Sequence, residues 1–361
     1  MTRRKLKTRR FWVRQSWINY RKLHRIRLRR KNICKKLRNV RVSRNIRERE
    51  ARMKDKLKKS PKRQKVPRDF RLLSNPAKCA KFFRRLLDME FSYFTRFGEK
   101  KILLDMKEVE TVDFAAMIML NAICDELAQK GCNVGGNSPL CAEAYRFMLD
   151  SGFLNNMYDE HNRKMFLPGN SQILEVQKGE DKIKKEDLQA FVALLDKVKD
   201  YLGVDKDCDI NDYVAILKEI CGNSTEWGNV KRKNWTIAAK FEKDKVVFIA
   251  LDLGQGILGS LNKRVDKQLK DFLFGKNNCQ VLEGVFSQYY GSKSKDQNRN
   301  QGLPFIKDCN NRSIIKNLCV LSNNVKLDFS DSNNDNIFAP YTKGLIGTLY
   351  SWSVDVECLT H

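Results

Sequence analysis

Glu219 and Asn223 stand four residues apart in the stretch LKEICGNSTEWG, and further along an apolar run, Lys245-Val246-Val247-Phe248-Ile249-Ala250-Leu251, ends in Asp252-Leu253-Gly254-Gln255-Gly256. On a helix a spacing of four sets a carboxylate and an amide on one face, one turn apart, and Glu226 joins that face. The apolar run is rich in β-branched residues and reads as a buried strand delivering Asp252 to a glycine turn. Gly254 and Gly256 have no Cβ, so backbone there can approach a ligand closely. Together the two segments read as a nucleotide pocket.

The elements that must position these groups follow from periodicity and punctuation. Residues 186–201 and 210–226 read as helices, 235–241 and 246–251 as strands. Helices are expected near 265–274 and 279–290, and strands at 313–321, 325–329 and 345–354, with a plain Asp/Asn/Ser-rich turn over 330–336. The expected fold class for 185–361 is a helical layer on one face of a mixed, mostly antiparallel sheet. Upstream, Asn75 looks like an N-cap with Pro76 at the first helical position, opening a helix through Phe94. A strand at 101–106, a helix at 114–129 ended by Lys130-Gly131, a strand at 132–135 and a helix at 139–149 follow, giving a small α/β domain over 68–160. Residues 161–184 read as a polar linker with an edge strand around 173–176, and His161 within it as a solvated loop residue.

Charge is divided unevenly. Residues 1–67 carry 29 Lys or Arg against Glu48, Glu50 and Asp55, whereas the rest of the chain holds 41 basic and 40 acidic residues. The basicity therefore belongs to an arm. Its apolar residues Leu23, Ile26, Ile33, Leu37 and Val40 keep helical spacing, and Phe11, Trp12, Trp17 and Tyr20 lie among arginines. Such an arm suits nucleic-acid phosphates bound by counterion release; an acidic protein, an anionic lipid surface or plain solvation are the alternatives. Eleven scattered cysteines without a CxxC pair, and only three histidines, point to a reducing compartment and suggest no metal cluster. No signal peptide or transmembrane run is visible, so a cytoplasmic location is expected, with an Arg-rich presequence as a minor alternative.

The order ILLDMKEVETVDFAAMIMLNAICDELAQKGCNV, then a helix and SGFLNN, resembles the STAS domain of anti-sigma-factor antagonists. In that family a serine or threonine after the aspartate is phosphorylated by a partner kinase. The matching stretch here, Asp113-Phe114-Ala115-Ala116-Met117, has no hydroxyl, so the resemblance implies a docking or scaffold module without the switch, and Thr111 reads as a helix cap.

Four segments then fall in order: the Glu219/Asn223 pair, Asp252 to Gly256, Asn300-Gln301-Gly302-Leu303-Pro304 opening a helix, and Gly347-Thr348 on the closing strand. This succession resembles the Bergerat fold of the gyrase, chaperone, histidine-kinase and mismatch-repair ATPases, and NSTEWG is similar to the asparagine box of its anti-sigma serine-kinase and histidine-kinase-like branch. The resemblance implies ATP and Mg²⁺ as cofactors. It makes Asp252 the acceptor of the adenine amino group, Gly254 and Gly256 close contacts to base and sugar, and Thr348 a partner beside Asp252. It makes Asn223 the Mg²⁺ ligand, Glu219 the general base, Gly302 a phosphate contact at a helix start, and Lys293 a cation for phosphate. Trp227 stands where relatives have histidine, and NQGLP has a single glycine; both departures bear on turnover more than on binding. Two classes of function follow, an ATP-dependent enzyme or switch, for which the resemblance allows a homodimer, and a non-catalytic scaffold holding a regulatory protein partner.

Overall fold

The computed structural model describes residues 22, 25 and 28 and, within 62–361, all but 96–97, 151–173, 181, 206, 228–233, 262–274, 288–301, 340–343 and 361. Lys22, Arg25 and Leu28 are helical and exposed; the aromatic cluster and the other apolar positions of the arm lie outside the described residues. A compact unit begins at Lys62. Its first strand, β1 (Gln64–Lys65), already lies within the stretch that composition assigns to the arm.

The first lobe is built around β4 (Lys100–Asp105), which pairs in parallel with β1 and with β6 (Cys132–Gly136) and antiparallel with β3 (Tyr93–Phe94). A short parallel ladder joins β2 (Asp69–Phe70) to β5 (Thr111–Val112). Helix α1 (Pro76–Leu87) ends well before Phe94, because Met89 takes a left-handed φ of 53° and turns the chain into β3. Asn75 occupies the N-cap position without capping; its Nδ2 donates to the Asp69 carbonyl at 2.9 Å. Helix α2 (Phe114–Gln129) is capped by Asp113, whose Oδ1 accepts from Ala116 N at 2.7 Å. Thr111 is therefore no cap; its hydroxyl donates to Asp69 Oδ1 at 2.8 Å. Helix α3 (Ala142–Asp150) closes the lobe.

The second lobe is a seven-stranded sheet in the order β12, β11, β10, β13, β9, β8, β7. Its strands are β7 (Leu174–Glu180), β8 (Asn234–Glu242), β9 (Lys245–Asp252), β10 (Lys316–Ser322), β11 (Val325–Asp328), β12 (Asn336–Ile337) and β13 (Thr348–Asp355). β7 is the edge strand anticipated near 173–176, extended to seven residues. Every described pairing is antiparallel, where a mixed sheet was expected. Two-residue turns join β8 to β9 and β10 to β11, and so short a connection permits no parallel pairing. Helices α4 (Lys185–Leu202), α5 (Asn211–Trp227), α6 (Ile257–Leu261), α7 (Asn278–Ser287) and α8 (Gly302–Asn311) follow in the same lobe, and the short α9 (Val356–Leu359) ends it. Asp355 caps α9, and Gly203 with φ 69° stops α4.

Alternation divides the sheet between two cores. Phe248, Ala250, Tyr350 and Trp352 face α4, α5, α7 and α8, with Phe248 stacked on Trp352 at 5.2 Å. Ile249, Leu251 and Leu349 face the other way, into one core with Phe114 to Leu127 of α2. The first two turns of α2, Phe114 to Leu120, are buried on every side for this reason: the helix lies between the two sheets. Helices thus cover both faces of the large sheet, whereas one covered face was expected. Arg84 of α1 adds hydrogen bonds to the carbonyls of Gly344 and of Leu345, the latter at 3.2 Å. Because the lobes share a core, Ile249→Ala is expected to cost about 2–5 kcal/mol. Unfolding should remain one transition, followed coincidently by tryptophan fluorescence and circular dichroism; two separated transitions would show that the lobes melt independently.

Candidate functional site

The large sheet ends at Asp252. β9 stops there because Asp252 Oδ1 accepts from Gly254 N at 2.6 Å, an Asx turn that bends the chain out of the ladder. Register places Asp252 opposite both Thr348 of β13 and Trp235 of β8. The backbone and hydroxyl of Thr348 also hydrogen-bond the carboxyl, but burial outweighs these contacts and pushes it up to about 6. Gly347, at φ 79°, lies so close that a Cβ would run into the Asp252 carbonyl oxygen.

Asn323, which sequence reasoning missed, organises the loops on either side. Its Oδ1 accepts from Leu258 N at 3.1 Å and Gly259 N at 3.3 Å, its Nδ2 donates to Gln255 O at 2.7 Å, and its carbonyl accepts from Leu345 N at 2.5 Å. The signal for it was the Asn323-Asn324 pair between two strands, a turn by composition. Gly256, at φ 75°, has the Asn323 side chain where a Cβ would stand, so this glycine has a local packing reason of its own.

Helix α5 carries Glu219 and Asn223 one turn apart, as their spacing predicts. Glu219 is exposed, and its carboxylate lies against Gly302, the first residue of α8; a Cβ on Gly302 would collide with it. A carboxylate is favoured there by the helix dipole. Asn223 is half-buried, and its Nδ2 is buried without a hydrogen-bond partner. An unpaired buried polar group costs about 1–3 kcal/mol unless something answers it. Two residues before Asn223, burial and the nearby Asp187 and Asp252 carboxylates push the Cys221 thiol up, so α5 also passes close to Asp252. The fold thus brings Asp252, Gly254 and Thr348 together, and Glu219 with Gly302, with α5 reaching both groups. Lys293, Asn300, Gln301 and His161 lie outside the described residues.

A cavity of about 920 Å³ opens at the same end of the sheet. Of the site candidates only Asp252 and Gly254 line it. It wraps around the strand ends, taking Trp235 and Asp252 from one face and Thr236 and Leu251 from the other, and reaches α2 at Ala122 and Asp125. Trp235 Nε1 and Asn234 Oδ1 in this lining are buried without partners.

The residues available here for a ligand are an amide with an unpartnered Nδ2 at Asn223, a buried carboxyl at Asp252 and a helix start at Gly302. No group of three His, Cys, Asp or Glu fit for a metal occurs among the described residues. Every described cysteine is a free thiol, and no described helix is long and apolar enough to cross a membrane. A scan against protein-family models and a search of curated proteins found no match.

Proposed function

We propose that this protein binds ATP with Mg²⁺ as a member of the histidine-kinase-like, Bergerat-type ATPases, and that its first lobe is a STAS-like module lacking the phosphorylatable hydroxyl. The observation that carries the reading is the Asp252 carboxyl, buried at the end of β9, held by Gly254 and Thr348, and overlain by the helix that bears Glu219 and Asn223. An ionised carboxylate only accepts hydrogen bonds, so Asp252 selects a base that offers an amino group. Asn223, turned by half a rotation about its amide, presents Oδ1 to a hard cation from the position its unpartnered Nδ2 now fills. The bound ion would neutralise phosphate charge and help orient the terminal phosphoryl group. Gly302 at the start of α8 offers backbone N–H groups to phosphate, and Glu219 beside it is placed to take a proton from a water or a hydroxyl that attacks there. Ala115 and Ala116, fully buried in the first turn of α2, carry no hydroxyl, so the first lobe offers no acceptor at that position.

The basic arm, residues 1–61 once the stretch from Lys62 is assigned to the compact unit, is read as the element that engages an anionic partner, nucleic acid foremost. A second reading, a non-catalytic scaffold, draws on the core that the two lobes share, because a continuous core suits a rigid platform. Glu219→Gln decides between them. The enzyme reading expects ATP binding to be retained and phosphate release to fall by about 10²–10⁴-fold, as loss of a general base entails. A wild-type protein that binds ATP without any turnover leaves the scaffold.

A further inference from the structure

Arg84, in the last turn of α1, reaches from the first lobe into the second. Its Nε donates to the Gly344 carbonyl and its Nη2 to the Leu345 carbonyl at 3.2 Å, so one fork holds two successive peptide groups. The guanidinium is half-buried, and burial, opposed by Asp88, draws its pKa below the usual arginine value. These charge-assisted bonds are therefore partly shielded from water. Leu345, at the far end of the fork, is fully buried in the core that the lobes share.

The segment held by Arg84 lies directly on the Asn323-Asn324 turn. A Cβ on Gly344 would run into the Asn323 carbonyl group, and Leu345 N donates to that same carbonyl at 2.5 Å. On its other side Asn323 meets the loop that follows Asp252. Its Oδ1 accepts from Leu258 N and Gly259 N, its Nδ2 donates to Gln255 O, and Gly256 has no room for a Cβ against it. A second route is shorter: two residues beyond Leu345, Gly347 abuts the Asp252 carbonyl. Close-packed groups transmit displacement, so a shift of residues 344–345 reaches the Asp252 turn from both sides.

We propose that Arg84 is a positioning residue for the Asp252 turn: through Gly344, Leu345 and Asn323, the first lobe holds segment 252–259 in the conformation that accepts a ligand. This role rests on the nucleotide reading and adds regulation to it. The first lobe thereby acts on the site without a phosphorylatable hydroxyl of its own, because turning the Arg84 fork away loosens the loop. The rival role is a plain tether between lobes, whose loss would loosen the whole fold evenly.

Amide hydrogen exchange on the full chain, with titration by Mg²⁺-ATP, tests this in wild type, Arg84→Met, Arg84→Lys, Asn323→Gly and the Arg84→Met/Asn323→Gly double variant. Arg85→Met is the control: Arg85 neighbours Arg84 on α1 but pairs with Glu90 at 2.6 Å and lies over the Phe91 ring at 4.7 Å, within its own lobe. Arg84→Met should speed exchange at Leu258 and Gly259 by about tenfold, the effect of one charged hydrogen bond, and leave β4 and β8 unchanged. Arg84→Lys, which still donates, should fall between the two and decides alone if Arg84→Met does not fold. Asn323→Gly tolerates the left-handed turn and removes the side-chain link, so Arg84→Met should add little at Leu258 and Gly259 in that background. Mg²⁺-ATP should bind Arg84→Met about tenfold more weakly, and Arg85→Met as it binds wild type. Unchanged exchange at Leu258 and Gly259, additive effects of the two substitutions, a rise spread evenly over both lobes, or ATP bound equally by wild type and Arg84→Met would overturn the proposal. Faster exchange confined to that loop, in a protein whose wild type binds no ATP, would uphold the positioning role and remove the nucleotide reading.

Discussion

Asparagine in place of Asp252 should raise the melting temperature at pH 7 and, in the same protein, weaken ATP binding by about tenfold or more. The two effects have one cause. Burial holds the Asp252 carboxyl up at about 6, above the ordinary 3.8, so between those values the folded state binds more protons than the unfolded chain. Stability from this group is therefore greatest below about pH 4 and is lost as pH rises through about 6. The full shift corresponds to about 3 kcal/mol, and partial access from the cavity lowers the expected gain for Asp252→Asn to about 1–2 kcal/mol at pH 7. Asparagine keeps an acceptor for Gly254 N but brings an N–H₂ group against the incoming amino group. By the same logic ATP affinity of the wild type should fall as pH drops below about 6, where the carboxyl becomes protonated. Melting curves and titrations at pH 5 and pH 7.5 measure both effects. A variant that loses stability, or that binds ATP as the wild type does, contradicts the role assigned to Asp252.

Gly347→Ala should cost about 2–4 kcal/mol and impair nucleotide binding, although Gly347 presents no side chain to a ligand. Its φ of 79° is costly for any residue with a Cβ, by about 1–2 kcal/mol. The added methyl would also overlap the Asp252 carbonyl oxygen and press on Gly254 N, so β13 and the Asp252 turn would have to part. The ladder from Thr348↔Asp252 to Asp355↔Lys245 fixes both strands along eight pairs, which leaves little room for that shift. Urea unfolding of the variant measures the cost. A change below about 1 kcal/mol would mean that the strand ends yield easily and do not hold Asp252 in place.

Much of this end of the molecule was legible in the sequence because local rules and tertiary structure agree there. The apolar run before Asp252 is a strand, the Glu219/Asn223 spacing is helical, Gly302 opens a helix, and Thr348 opens the closing strand. The misreadings arose where a single residue outweighs a pattern. Phe91 and Phe94 continue the helical periodicity of α1, but Met89 in the left-handed region has already turned the chain. Ser313, at φ 59°, delays β10 to Lys316, and Asn317, at φ 57°, sits where the register with β13 shifts, within a run that reads as continuous strand. The start of α2, Phe114 to Leu120, is an unbroken apolar run and is buried throughout, yet nothing local says that a second sheet supplies the other side. Trp235 was read only as the start of a strand, and Asn234 lay outside it; their unpartnered atoms depend on register with β7 and β9, which the sequence does not display.

The claim on which the rest depends is that the end of the large sheet holds an adenine nucleotide. Titration of the purified full chain with labelled ATP, with and without Mg²⁺, tests it most directly. The account predicts saturable binding to one site per chain, strengthened by Mg²⁺ and weakened by Asp252→Asn and by Asn223→Ala. Absence of saturable binding in Mg²⁺, or binding unaffected by both substitutions, would contradict it.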